Sequence, residues 1–153
     1  MIEERTLPQI VDLSKDEIYE VLESVSFGHI AFSADDRPYV IPIHFAVQKP
    51  YVYFFTTEGK KTEIMEKNPY VCLQVEDIAD SKNWKSVIVE GEGKLLTDTE
   101  DIEKAMNLIQ EANPTLTPAW SIRWMDSWIR ANRSAVYQIQ IYAMSGRRTL
   151  ERT

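Results

Sequence analysis

The residues best equipped for chemistry lie in one short run, Thr56-Thr57-Glu58-Gly59-Lys60-Lys61. An aromatic strand pattern gives way there to a helical one. Two hydroxyls, a glycine and two ammonium groups converge on what should be a helix N-terminus, where free backbone N–H groups and the helix dipole favour negative charge. Gly59 lets the main chain approach a ligand closely. Those parts suit a phosphomonoester dianion, provided that Glu58 points away. The same run also reads as a capped strand-to-helix turn with solvated lysines, and the residues alone leave both readings open.

The second informative stretch is Tyr39-Val40-Ile41-Pro42-Ile43-His44-Phe45. Tyr39, Ile41, Ile43, Phe45 and Val47 alternate on one face of a strand. Pro42 cannot donate to a ladder, so this strand is expected to have an edge or an interrupted side there. Such a gap leaves backbone donors and acceptors beside an apolar surface, which the polar edge of a heterocycle requires; a plain edge strand is the alternative. His44 shares the opposite face with Val40, Pro42 and Ala46. It reads either as a ligand contact or as a hydrogen-bonded interface histidine. His29 follows a helix end, where the dipole explains a histidine without catalysis. Cys72, between Val71 and Leu73, reads as a structural thiol. No His/Cys spacing suggests a metal, and there is no Gly-x-Ser-x-Gly or P-loop.

The elements that must hold these groups are legible. Ser14 and Glu17 form a capping box, and Ile18, Val21, Leu22 and Val25 make the apolar stripe of a first helix that Gly28 is expected to end. Strands are predicted over 30–34, 39–47 and 51–56, then a short helix over 60–67 stopped by Asn68-Pro69. Strands over 70–76 and 84–96 follow, the second interrupted by Gly91 and Gly93 as at a bulge or barrel corner. Thr97 and Glu100 suggest a second capping box, for a helix broken at Asn113-Pro114. A helix over 120–130 and a strand over 135–143 complete the order. Consecutive strands joined by short turns imply an antiparallel sheet, and helices grouped outside it make the class α+β. A six-stranded antiparallel sheet with corner glycines tends to close into a barrel with flanking helices.

The chain has 153 residues, 44% of them hydrophobic and 27% charged, which suits one globular domain spanning 1–153 with a sizeable core. A formal net charge of −7 disfavours phosphate-backbone binding to nucleic acid. One cysteine excludes an intrachain disulfide and fits a reducing cytoplasm. The acidic start, Met1-Ile2-Glu3-Glu4-Arg5, does not resemble a secretory signal, and no run approaches membrane-spanning length.

Four segments together resemble the FMN-binding split barrels: Gly28-His29-Ile30-Ala31, Pro38 to Phe45, Tyr53 to Lys61, and Asn68-Pro69-Tyr70-Val71-Cys72. Trp84-Lys85-Ser86-Val87 and Glu90-Gly91-Glu92-Gly93 resemble that family's long fifth strand. The branch most similar is the pyridoxamine 5'-phosphate oxidase-like proteins related to nitroimidazole-resistance proteins. The resemblance implies a six-stranded split β-barrel and a homodimer with flavin at the subunit interface. It implies that Ile41, Pro42 and Ile43 line the isoalloxazine, with His44 beside them. Thr56, Thr57, Gly59, Lys60 and Lys61 would hold the phosphate, and Trp84, Ser86 and Val87 would approach the flavin, from the same chain or from the partner subunit.

Two positions depart from the pattern. Phe54 and Phe55 stand where nitroimidazole-resistance relatives often carry a histidine. His44 stands where many relatives have asparagine, which keeps a polar group but makes it titratable. The arginine-rich substrate pattern of pyridoxamine phosphate oxidase proper is not found.

The function expected is an FMN-dependent oxidoreductase passing electrons from NADH or NADPH to a small acceptor, with His44 as the one catalytic candidate. The alternative is a non-catalytic flavin or haem carrier or sensor on the same barrel. Trp120, Trp124 and Trp128 read as a packing stripe against the barrel or partner, or as an aromatic wall over a ligand. Arg123, Arg130, Arg147 and Arg148 read as solvated surface, with an anionic substrate as the sharper alternative.

Overall fold

A computed structural model describes residues 9–57, 60–113 and 134–150. The elements in chain order are β1 (Gln9–Asp12), α1 (Lys15–Ser24), β2 (Phe27–Ala34), β3 (Arg37–Gln48), β4 (Tyr51–Thr57), α2 (Lys60–Lys67), β5 (Tyr70–Asp80), β6 (Asn83–Leu95), α3 (Thr99–Ala112) and β7 (Ser134–Leu150). The helix expected over 120–130, with its three tryptophans and with Arg123 and Arg130, lies outside the described residues.

The sheet runs β1-β7-β4-β3-β2-β5-β6, and β6 returns to pair with β7. Every ladder is antiparallel. Strands β2 to β7 therefore close into the expected six-stranded ring. β1 is an addition, a short edge strand paired with Arg147–Leu150. Its adjacent Ile10 and Val11 give no alternation to read.

Pleat parity sorts the side chains. Ile30, Phe32, Ile43, Phe45, Val52, Phe54, Leu73, Val75, Val87 and Val89 point inward and form the core. Helix α1 packs Ile18, Val21 and Leu22 against that core, and α2 adds Ile64 and Met65. A second cluster lies outside the ring, where Ala105, Met106 and Ile109 of α3 cover Ala46, Tyr53, Phe55 and Val136.

Local details correct several expectations. The Ser14–Glu17 capping box is present, but α1 ends at Ser24 with Val25 as its C-cap, not at Gly28. Gly28 and His29 belong to β2. A Cβ on Gly28 would lie 2.7 Å from the Gln74 carbonyl oxygen of β5, so glycine permits a close strand approach there. Helix α3 is capped by Asp98, whose carboxylate accepts from the Asp101 N–H at 3.3 Å, one residue later than Thr97. Gly91 marks a bulge as anticipated: Glu90 faces Ala143 and Gly91 faces Ile141, leaving Tyr142 as the extra residue. β7 continues to Leu150 rather than stopping at Ala143, because β1 and β6 flank its polar end.

Candidate functional site

Strand β3 has unequal neighbours. Its ladder with β2 extends from Arg37 opposite Ala34 to His44 opposite Phe27. Its ladder with β4 covers only Phe45–Gln48. The two strands part at the Phe45/Phe54 rung, and the ring opens there.

Parity shows which main-chain groups face that opening. The Phe45 N–H donates to the Ser26 carbonyl at 2.9 Å. The main chain of Phe45, Ile43 and Ile41 therefore faces β2, and that of Val40, Pro42 and His44 faces the opening. Pro42, which has no N–H, sits where no ladder asks for one. The interrupted side expected from Pro42 is thus present.

The opposite wall is the end of β4. Extended past its last rung, the β3–β4 register would set Ile43 against Thr56 and Pro42 against Thr57. Helix α2 begins at Lys60, so Lys60 and Lys61 occupy its first turn. The helix is pinned over the ring: Ile64 and Met65 are buried, and the Asn68 side-chain amide donates to the Ser33 carbonyl at 2.8 Å. The fold thereby brings the two sequence stretches of interest to one opening. Thr56 is buried and already has a partner within the chain. Glu58 and Gly59, and the side chains of Thr57, Lys60 and Lys61, lie outside the described residues.

The other candidates are distributed unevenly. Pro42 is exposed, Ile41 half-buried, and Ile43 points into the core. On β6, Ser86 lies on the outer face and Val87 is fully buried inside, so Val87 offers a ligand only backbone. The Trp84 N–H donates to Thr149 Oγ1 at 3.0 Å. β6 lies three strands from β3 in either direction around the ring, on its opposite side with the core between them. One copy of the chain therefore does not bring Trp84 and Ser86 to the opening.

His44 is half-buried on the outer face. Its Nδ1 lies 3.0 Å from Asn113 Oδ1, and its ring meets Phe27 edge-on at 5.1 Å between centroids. Asn113 is itself buried, donating to the Phe45 carbonyl at 3.2 Å and the Ile109 carbonyl at 2.7 Å. Sequence reasoning took Asn113 only as a helix stop and passed over Phe27. A polar residue bracketed by an apolar helix stripe and Pro114 was the available signal for the former.

Cys72 is half-buried, and burial, with the Glu90 carboxylate second, pushes its thiol above the ordinary range. Neither effect favours a thiolate nucleophile. Arg147 and Arg148 pair with Asp12 at 3.8 Å and Glu17 at 3.6 Å, tying β7 to β1 and α1. Among the described residues, no group of three or more His, Cys, Asp or Glu side chains could hold a metal, and no helix is long and apolar enough to cross a membrane.

Known proteins resemble this chain in sequence and fold. An uncharacterized protein of Rhizobium meliloti is 34% identical over 88 residues, 58% of each chain, so the match spans little more than half of that relative's length. The crystal structure of an FAD-binding protein from Mesorhizobium loti is 29% identical, with a TM-score of 0.72 over 91% of this chain and 97% of that one. A candidate 5-nitroimidazole antibiotic resistance protein from Bacteroides thetaiotaomicron shares the fold at 19% identity, with a TM-score of 0.72 over 94% and 92%. The profile of the pyridoxamine 5'-phosphate oxidase family matches residues 14–148. Fold likeness and sequence match agree, and the chain belongs to the pyridoxamine 5'-phosphate oxidase family.

Proposed function

We propose that the chain is an FMN-binding flavoprotein that works as a homodimer and passes electrons from NADH or NADPH to a small acceptor. The observation carrying this reading is the β3–β4 opening, which sets the unpaired edge at Pro42 against Thr56, Thr57 and the start of α2. A monophosphate suits a helix N-terminus that begins with two lysines. The polar edge of a flat heterocycle suits the main chain of Val40, Pro42 and His44. Membership of the family and likeness to an FAD-binding relative support a flavin in particular. A bound flavin would supply the redox chemistry, and this chain would bind and orient it.

The dimer is supported by the outer face. Phe27, Val40, Ile78 and Ile88 lie 44%, 64%, 58% and 41% exposed on β2, β3, β5 and β6. These apolar side chains, set on four adjacent strands among the polar Gln74, Glu76 and Ser86, are what a second copy would cover. A second copy would also offer Trp84 and Ser86 to an opening they cannot reach within one chain.

Purified protein is expected to be yellow and dimeric at micromolar concentration, and to oxidise NADH or NADPH when a quinone or nitroaromatic acceptor is present. Bound flavin without turnover would favour the carrier reading over the enzyme. Absence of flavin binding would remove the enzyme and the flavin carrier, leaving the haem form of the alternative.

A further inference from the structure

We propose that Asn113 is a positioning residue that locks His44 in its Nδ1–H form, so that Nε2 stands as a hydrogen-bond acceptor for an N–H or O–H of the ligand at the open edge of β3. The acceptor role rests on the flavin reading above; the locking does not.

The argument starts from the amide. The Asn113 Nδ2 group has two hydrogens, and two main-chain carbonyls, Phe45 and Ile109, lie 3.2 Å and 2.7 Å away. Carbonyl oxygens only accept, so the amide cannot be turned over without setting three oxygens against one another. Its Oδ1 is then fixed toward His44 Nδ1 at 3.0 Å. An amide oxygen only accepts, so Nδ1 must carry the proton. A neutral ring protonated at Nδ1 holds a lone pair on Nε2. Free imidazole side chains in water favour the other tautomer, so this arrangement is imposed by the fold. Among the described residues Nε2 has no hydrogen-bond partner, and Phe27 holds the ring from the side. Asn113 is buried, so the whole relay is preorganised before any ligand arrives.

The placement links two parts of the molecule. Asn113 caps α3, and His44 is the last residue of β3 before its ladder with β4 begins. The end of α3 therefore sets the chemical character of a side chain beside the opening.

The test reads the ring nitrogens directly. In flavin-free, 15N-labelled wild-type protein, above the ordinary titration range of histidine, His44 Nδ1 should show a pyrrole-type shift and Nε2 a pyridine-type shift. The reverse assignment would overturn the proposal with no variant needed. N113L, with its fold checked by circular dichroism, should release the ring toward the Nε2–H form; an unchanged tautomer would overturn the role of Asn113. On addition of FMN to the wild type, the Nε2 resonance should move upfield, and H44F should bind FMN about five-fold more weakly, the loss of one neutral hydrogen bond. An Nε2 shift that stays put with FMN bound would overturn the acceptor role alone. If the wild type binds no FMN, the acceptor role falls with the flavin reading, and the tautomer result on the flavin-free protein stands separately.

Discussion

The two halves of β3 are built from the same alternating pattern and do opposite work. From Phe45 to Gln48 the strand is flanked on the β4 side, and Phe45 and Phe54 meet at the last rung with no exposure to solvent. From Arg37 to His44 β2 alone flanks it among the described residues, and Val40 and Pro42 stand exposed. The inner residues continue without a break across this boundary, from Ile41 and Ile43 to Phe45. What changes is the main chain: one half uses its hydrogen-bonding groups to close the ring, and the other turns them toward the opening, where the proposed ligand would meet them. Stability should therefore reside in the closed half and binding in the open half.

That division can be broken experimentally. The largest effect on folding is expected from Phe54→Ala, which empties a fully buried site and should lower unfolding stability by about 3–5 kcal/mol in urea. Val40→Ala, exposed on the open half, should change it by less than about 0.5 kcal/mol. Equal losses would abolish the distinction. Gly28→Ala probes the same boundary from β2. Its methyl group would meet the Gln74 carbonyl oxygen of β5, and a loss of about 1–3 kcal/mol is expected from the backbone shift this forces. A neutral result in thermal melts would show that the β2–β5 approach has slack.

A smaller effect should come from the capping box, remote from the opening. Ser14→Ala should cost about 1 kcal/mol. Glu17 is held below the usual carboxylate range, first by the Ser14 backbone N–H, then by the Ser14 side chain, with Arg148 and Lys85 adding to it. A lowered folded-state value means that its contribution is complete above the ordinary carboxylate range and disappears as pH falls through the lowered value. The stability gap between wild type and Glu17→Gln should therefore close on acidification. A gap that stays constant down to strongly acid pH would contradict this assignment.

Much of this was legible because local rules and tertiary structure agree. The capping box at Ser14, the helix over 60–67 and the alternation through β3 each follow from side-chain type and period. Pro42 gave away the open edge, since a residue without an N–H has few places in a sheet. The α3 cap was misread by one residue for a local reason, Thr97 and Asp98 both being good caps; the other misreadings come from a residue answering to a distant neighbour. Gly28 looked like a helix stop because its close approach to the neighbouring strand β5 has no local sign. Met144 to Leu150 look like loop because their strand character comes from pairing with both β1 and β6. Asn113 looked like punctuation because its partners at Phe45 and His44 lie 68 and 69 residues away in sequence. The candidate site was legible as two separate stretches; the register that joins them was not.

The most direct test of the central claim is a pair of titrations, FMN and riboflavin, on wild type and on the Lys60→Ala/Lys61→Ala double variant. The account predicts that wild type binds FMN more tightly than riboflavin. The double variant should lose about 2–3 kcal/mol toward FMN, roughly 30- to 150-fold, and keep its riboflavin affinity and urea midpoint. Equal affinity of wild type and double variant for FMN would contradict a phosphate site at the start of α2, and with it the placement of the cofactor at the β3–β4 opening.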